Sequence, residues 1–139
     1  MKTILVLEDE PVVMRLFSRV LIEYIILEAV TAAEALRLFC DSDHHVDLLI
    51  TVLTLAKGSG TQVALQLRLT VPTLPVILAS CCGPTYWTDQ ESAALRKLGT
   101  ASVKILEKPF FPSILLRKVH ELIGAPNEVI ASAGAASAT

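Results

Sequence analysis

The stretch ILVLEDEP, residues 4–11, reads as a buried strand running straight into the first turn of a helix. Ile4 to Leu7 is an unbroken apolar run, and with Thr3 it makes a strand from Thr3 to Leu7. Glu8, Asp9 and Glu10 end that run at once, and Pro11 follows where a helix's first turn needs no amide donor. A strand without alternation is one covered on both faces, the habit of parallel sheets flanked by helices. That choice sets the expectation for the rest of the chain.

Working outward, Val13, Leu16, Phe17, Val20 and Leu21 recur at helical spacing, predicting a helix over 11–24 with Arg15 and Arg19 on its wetter side. Ile25 to Ala29 is a second strand. Thr31 and Glu34 have the spacing of a capping box for a helix that buries Ala35, Leu36 and Phe39 and ends near Asp41. Asp47 to Leu53 is a third strand. Residues 56–60, AKGSG, predict a mobile turn before a helix over 61–69. A fourth strand follows Pro75, running Val76 to Ala79 with Ser80 at its end, and residues 80–87 are an irregular loop. Thr88 and Glu91 form a second capping box, Gly99 stops that helix, Val103 to Leu106 is a fifth strand, and Pro112 opens a last helix. From Gly124 the sequence turns Ala/Ser/Gly-rich, so the expected division is a folded domain over 1–125 and a flexible tail over 126–139.

The 139 residues suit one domain, and 53% hydrophobic composition supplies a sizeable core. Mean hydropathy of +0.57 fits strands buried on both faces. Twelve basic against fourteen acidic side chains leave a net charge of -2, which argues against nonspecific nucleic-acid binding. No apolar run approaches the ~18 residues of a membrane span. Three cysteines, two of them adjacent, make no disulfide framework, so a reduced, cytoplasmic protein is expected. Strands alternating with helices predict right-handed crossovers and a three-layer α/β sandwich.

Open sheets of this kind place their sites beyond the C-terminal ends of the strands. There the sequence offers Glu8 and Asp9 after the first strand, Ser80 at the end of the fourth and Lys108 after the fifth. Paired carboxylates are a natural seat for Mg²⁺, a hard cation that takes oxygen ligands. A lysine opposite them neutralises phosphoryl oxygens as a point charge. Each residue alone reads as a solvated loop or cap; their shared edge is what points to a site.

Together, ILVLEDEP at 4–11, VDLLITVLTLAKGSG at 46–60, PVILAS at 75–80 and ILEKPF at 105–110 resemble the receiver domains of response regulators, the phosphoacceptor modules of two-component signalling. The resemblance covers roughly residues 2–123. It implies a flavodoxin-like, doubly wound, five-stranded parallel sheet of order 2-1-3-4-5. It further implies Mg²⁺ held at Glu8 and Asp9, a phosphoryl contact at Ser80, and an ion pair from Lys108, which commonly precedes a cis proline in the family.

The acceptor departs from the pattern. The position that the family fills with aspartate is Val52, which has no oxygen to attack phosphorus or bind metal. Thr51, Leu53, Thr54 and Leu55 are not carboxylates either. Asp47 lies at the beginning of the strand, roughly 16 Å away. Ala56 stands where proline is frequent, and Ile105 where the family carries a switching aromatic ring. With one carboxylate fewer, Lys108 can balance part of the charge of Glu8 and Asp9 without metal. No cofactor is therefore required, and Mg²⁺ binding is expected to be weak.

Other candidates weigh less. Asp43, His44 and His45 lack a third, well-spaced metal ligand. Cys81 and Cys82 have no neighbouring catalytic spacing, and His120 reads as a surface residue. Tyr86 and Trp87 leave two readings open, a partner anchor or a ring folded back over the sheet edge. The leading expectation is a non-enzymatic, divergent receiver acting through protein partners, such as a histidine kinase, an output protein or a second copy. It would bind neither nucleic acid nor membrane and would not undergo conventional phosphorylation. Two alternatives remain: a receiver with a nonstandard acceptor at Asp9 or Ser80, and a small α/β enzyme or nucleotide binder. The glycine-free turn LEDEP speaks against the last.

Overall fold

The computed structural model describes residues 1–126. Five strands, β1 (Thr3–Leu7), β2 (Ile25–Ala29), β3 (Leu48–Val52), β4 (Val76–Ser80) and β5 (Val103–Glu107), alternate with five helices. These are α1 (Pro11–Val20), α2 (Ala32–Asp41), α3 (Gly60–Thr70), α4 (Asp89–Leu98) and α5 (Pro112–Ile123). The sheet order is β2-β1-β3-β4-β5 and every pairing is parallel. This is the doubly wound, flavodoxin-like arrangement expected. All five residues of β3 and of β4 are buried, whereas the edge strands β2 and β5 keep partly exposed positions. Central strands are covered on both faces, so their sequences carry no alternation to read.

Helix α1 stops at Val20, four residues short of the sequence expectation. The backbone amide of Leu21 still bonds the Phe17 carbonyl, but a turn then carries the chain to Tyr24. The buried stripe is Met14, Phe17 and Leu21, while Leu16 faces out. Phe17 fixes that rotation by stacking on Phe110, with ring centroids 5.4 Å apart. The box at Thr31 also differs: its hydroxyl accepts from the Glu34 amide, but Glu34 reaches past it to the amide of Val30. At Thr88 the reciprocal box forms as read, with bonds of 2.9 and 3.1 Å. Gly99 ends α4 at φ +80°, a conformation other residues rarely adopt.

The turn predicted at 56–60 is shorter than expected, because Gly60 is already the first residue of α3. Its amide bonds the Leu53 carbonyl at 2.9 Å. A Cβ there would lie 1.8 Å from the Val52 carbonyl oxygen and 2.3 Å from Thr51 Oγ1. Glycine at 60 therefore serves close approach, and no mobility follows from it. The loop at 80–87 contains a 3-10 turn over Pro84–Tyr86.

At the N-terminal pole of the sheet, Asp47 accepts from the Thr3 amide at 2.7 Å. There too Lys2 Nζ donates to the carbonyls of Ile123 and Ala125, the latter at 3.0 Å. Asp47 thus sits at the far end from Glu8. Apart from Pro126, the tail expected over 126–139 lies outside the described residues. Among the described residues no helix is long and apolar enough to cross a membrane.

Candidate functional site

The ladder continues one residue past three of the strands. Glu8 N–H donates to Ala29 O at 3.0 Å, Leu53 N–H to Ala79 O at 2.8 Å, and Lys108 N–H to Ser80 O at 2.8 Å. These backbone bonds hold Glu8, the Val52–Leu53 peptide, Ser80 and Lys108 along one edge before any side-chain contact is made.

Glu8 is wholly buried, yet Lys108 Nζ lies 2.9 Å from its Oε1. The other carboxylate oxygen accepts from the Glu10 amide at 3.1 Å. The lysine side chain is 20% exposed. A buried charge needs such a partner, because an unpaired carboxylate loses its hydration without compensation. Asp9 points elsewhere: its Oδ2 accepts from the Ala56 amide at 3.0 Å, which ties the loop after β3 to the end of β1.

Val52 is 4% exposed and lines a pocket of about 180 Å³ with Ala79, Ser80, Cys81 and Lys108. Its side chain is aliphatic and brings no oxygen to that pocket. The Ser80 hydroxyl donates to the Cys82 carbonyl at 2.7 Å and accepts from the Cys82 amide at 3.2 Å, closing a tight local turn. The Lys108–Pro109 peptide is cis, as the resemblance implies. Ile105 is half-buried against the core.

The edge therefore gathers Glu8 with Lys108 directly, and Val52, Ser80 and Lys108 around one pocket. Asp9 joins the neighbouring loop instead. Glu8 and Asp9, the pair that the resemblance makes Mg²⁺ ligands, are both engaged within the protein. Both Glu8 oxygens and one Asp9 oxygen already accept from the protein, and no third carboxylate stands at 52. Among the described residues no group of three or more His, Cys, Asp or Glu side chains is placed to hold a metal ion. His44 stacks on Phe39 at 4.8 Å.

Three contributors escaped the sequence reading. Thr51, wholly buried, donates from its hydroxyl to the Val52 carbonyl at 2.9 Å. Gly60 packs against the same carbonyl. Cys81 lines the pocket. An Oγ in a buried strand and a glycine at a helix start are signals that matter only once the neighbouring strand end is known. Trp87 settles as the folded-back ring: it is 9% exposed, and its Nε1 donates to the Cys82 carbonyl at 3.2 Å. Tyr86 beside it is 80% exposed.

The family model for the response regulator receiver domain matches residues 4–120. The chain belongs to that family. Its fold superposes on TrrA from Thermotoga maritima with a TM-score of 0.70 and 31% identity, covering 88% of this chain and 99% of that one. TrrA's structure is a complex with Mg²⁺–BeF. A receiver domain protein from Clostridium thermocellum is similar at 26% identity and a TM-score of 0.73, covering 88% and 94%. A receiver protein from Sinorhizobium medicae matches at 25% and 0.73, covering 91% and 97%. As a receiver, the chain is a regulatory module of two-component-type signalling and not an enzyme.

Proposed function

We propose that this receiver signals through protein–protein contact without conventional aspartyl phosphorylation. The observation that carries the reading is Val52, buried at the acceptor position under a pocket whose lysine is already paired with Glu8. A receiver with an acidic acceptor holds three carboxylates together, and their repulsion calls for a cation. Here two remain and Lys108 neutralises one of them, so only the charge of Asp9 is left to attract a metal. Mg²⁺ is then weakly bound and not required. Partners are signalling proteins such as a histidine kinase or an output protein, with a second copy of the chain as another route. The compartment is the cytoplasm, in keeping with three free thiols.

The test is intact-mass spectrometry after incubation with Mg²⁺ and a small-molecule phosphodonor, beside Val52→Asp. No adduct on the unchanged chain and one on Val52→Asp is the expected result. An adduct on the unchanged chain would overturn it and move the acceptor to Asp9 or Ser80. Hydroxylamine then separates the two, since it cleaves an acyl phosphate and leaves a phosphoserine intact.

A further inference from the structure

We infer that Cys81 and Cys82 form an oxidation site, a vicinal dithiol that a hydroperoxide converts to an intramolecular disulfide and that is coupled to Ser80 and Trp87. In an extended chain, successive side chains point to opposite faces. A bend right after β4 breaks that alternation and puts both sulfurs on one side, 3.2 Å apart. The bend is held from three directions. The Ser80 hydroxyl bonds both the amide and the carbonyl of Cys82, and the Trp87 indole donates to the same carbonyl.

Cys81 is exposed and lines the Val52–Lys108 pocket, whereas Cys82 is half-buried. The hydrogen bond to Cys81 pushes the Cys82 thiol above its usual value, and burial adds to that. Cys81, the more exposed of the two, is the sulfur that a hydroperoxide reaches first. The Cys81 sulfur bonds to one peroxide oxygen, the O–O bond breaks, and the departing hydroxide takes the Cys81 proton as water, leaving a sulfenic acid. The Cys82 sulfur then attacks the Cys81 sulfur. The S–O bond breaks, and hydroxide leaves with the Cys82 proton as a second water. Two electrons pass from the sulfurs to the peroxide oxygens.

The two sulfurs must close to about 2 Å, which draws the joining peptide into an eight-membered ring. That ring contains the Cys82 nitrogen, whose N–H now bonds Ser80. Oxidation therefore turns this amide, releases the Ser80 hydroxyl toward the pocket and loosens the Trp87 contact.

Trp87 is the sole tryptophan, so the coupling has its own reporter. The full chain is treated with hydrogen peroxide, alkylated and weighed, and its fluorescence is read in parallel. The expected product is a monomer lighter by two hydrogens, with alkylation falling from three thiols to one. A peptide carrying a Cys81–Cys82 link and a red shift of Trp87 emission, reversed by dithiothreitol, are also expected. Cys40→Ser should give the same link and emission shift, with alkylation falling from two thiols to none, while Cys81→Ser and Cys82→Ser should show neither change. Three thiols still alkylated, a disulfide-linked dimer, or oxygen added without a link would overturn the site. A link formed with no emission shift would overturn its coupling to Ser80 and Trp87.

Discussion

Lys108 reaches across the C-terminal edge of the sheet to Glu8, with Nζ 2.9 Å from Oε1, and the carboxylate that it meets has no exposure to solvent. The pair spans one hundred residues of sequence and joins the turn after β1 to the turn after β5. Because Glu8 is buried and Lys108 is not fully so, the two ends of the pair are unequal. Removing the lysine strands a charge in the core, whereas removing the acid leaves a lysine that can turn to water.

Lys108→Ala should accordingly destabilise the fold by about 3 kcal/mol, at the low end of the range for breaking a buried pair. Glu8→Gln should cost less. Urea denaturation midpoints at neutral pH check both, and equal losses would contradict the inequality.

Mg²⁺ should leave the melting temperature of the unchanged chain nearly flat through millimolar concentrations. Val52→Asp should be less stable in the absence of Mg²⁺, since it adds a third carboxylate beside Glu8 and Asp9. It should then gain stability as Mg²⁺ is added, because a ligand that binds only the folded state raises its melting point. A thermal-shift series on the two proteins measures the difference.

Gly60→Ala should destabilise by about 3 kcal/mol, because the added methyl meets the Val52 carbonyl at 1.8 Å and the backbone has to move. The contrast is Gly58→Ala, where nothing lies within 4 Å and the loss comes from a φ of +92° alone. Chemical denaturation of the two variants should rank Gly60 well above Gly58.

Arg68 donates from Nε to the Leu74 carbonyl at 2.9 Å and from Nη1 to the Leu98 carbonyl at 2.6 Å, clamping α3 to the entry of β4 and the end of α4. Burial lowers the pKa of its guanidinium, which still stays charged at any physiological pH. Arg68→Ala should cost about 2 kcal/mol, in the range for hydrogen bonds from charged groups. Arg68→Lys should restore little, since one ammonium cannot span both carbonyls.

Glu121 and Lys104 pair at 3.1 Å between α5 and β5, and the lysine's hydrogen bond holds the Glu121 carboxyl below its usual 4.5. The unfolded chain then binds the proton more readily, so stability rises with pH across that window. The contribution is fully present above the usual value and is lost as pH falls through the lowered one. Stability curves of the unchanged chain and Glu121→Gln should converge in acid and separate modestly above it, less so in high salt.

The strands and the residues of the edge were legible because they are written in short, contiguous strings, whereas the strand order and the cis proline came only from the resemblance to receiver domains. ILVLEDEP carries its strand, its acids and its helix start within eight residues. What escaped depends on contacts made far away in sequence. Nothing local shows that Phe110 will rotate α1 so that Met14 is buried and Leu16 exposed, since both are apolar and both fit a helical stripe. Nor does the spacing of Glu8 and Asp9 say which acid Lys108 will take. Strand alternation decides it, turning Glu8 inward and Asp9 toward the Ala56 amide. Gly60 read as a flexible turn for the same reason. Its neighbour, the Val52 carbonyl, is adjacent only once β3 has ended and the chain has doubled back.

The lysine at position 2 has a consequence of another kind. By grasping the carbonyls of Ile123 and Ala125, it brings the start of the first strand beside the end of the last helix. A few linking residues would splice Lys2 to Ala125, and the ring so made could be opened elsewhere, for instance in the polar loop at His44–His45. The order of the segments would change while every strand kept its neighbours. By the same geometry, cargo fused ahead of Lys2 departs from the pole away from Glu8 and Lys108. A fused reporter would thus leave the Val52 pocket uncovered.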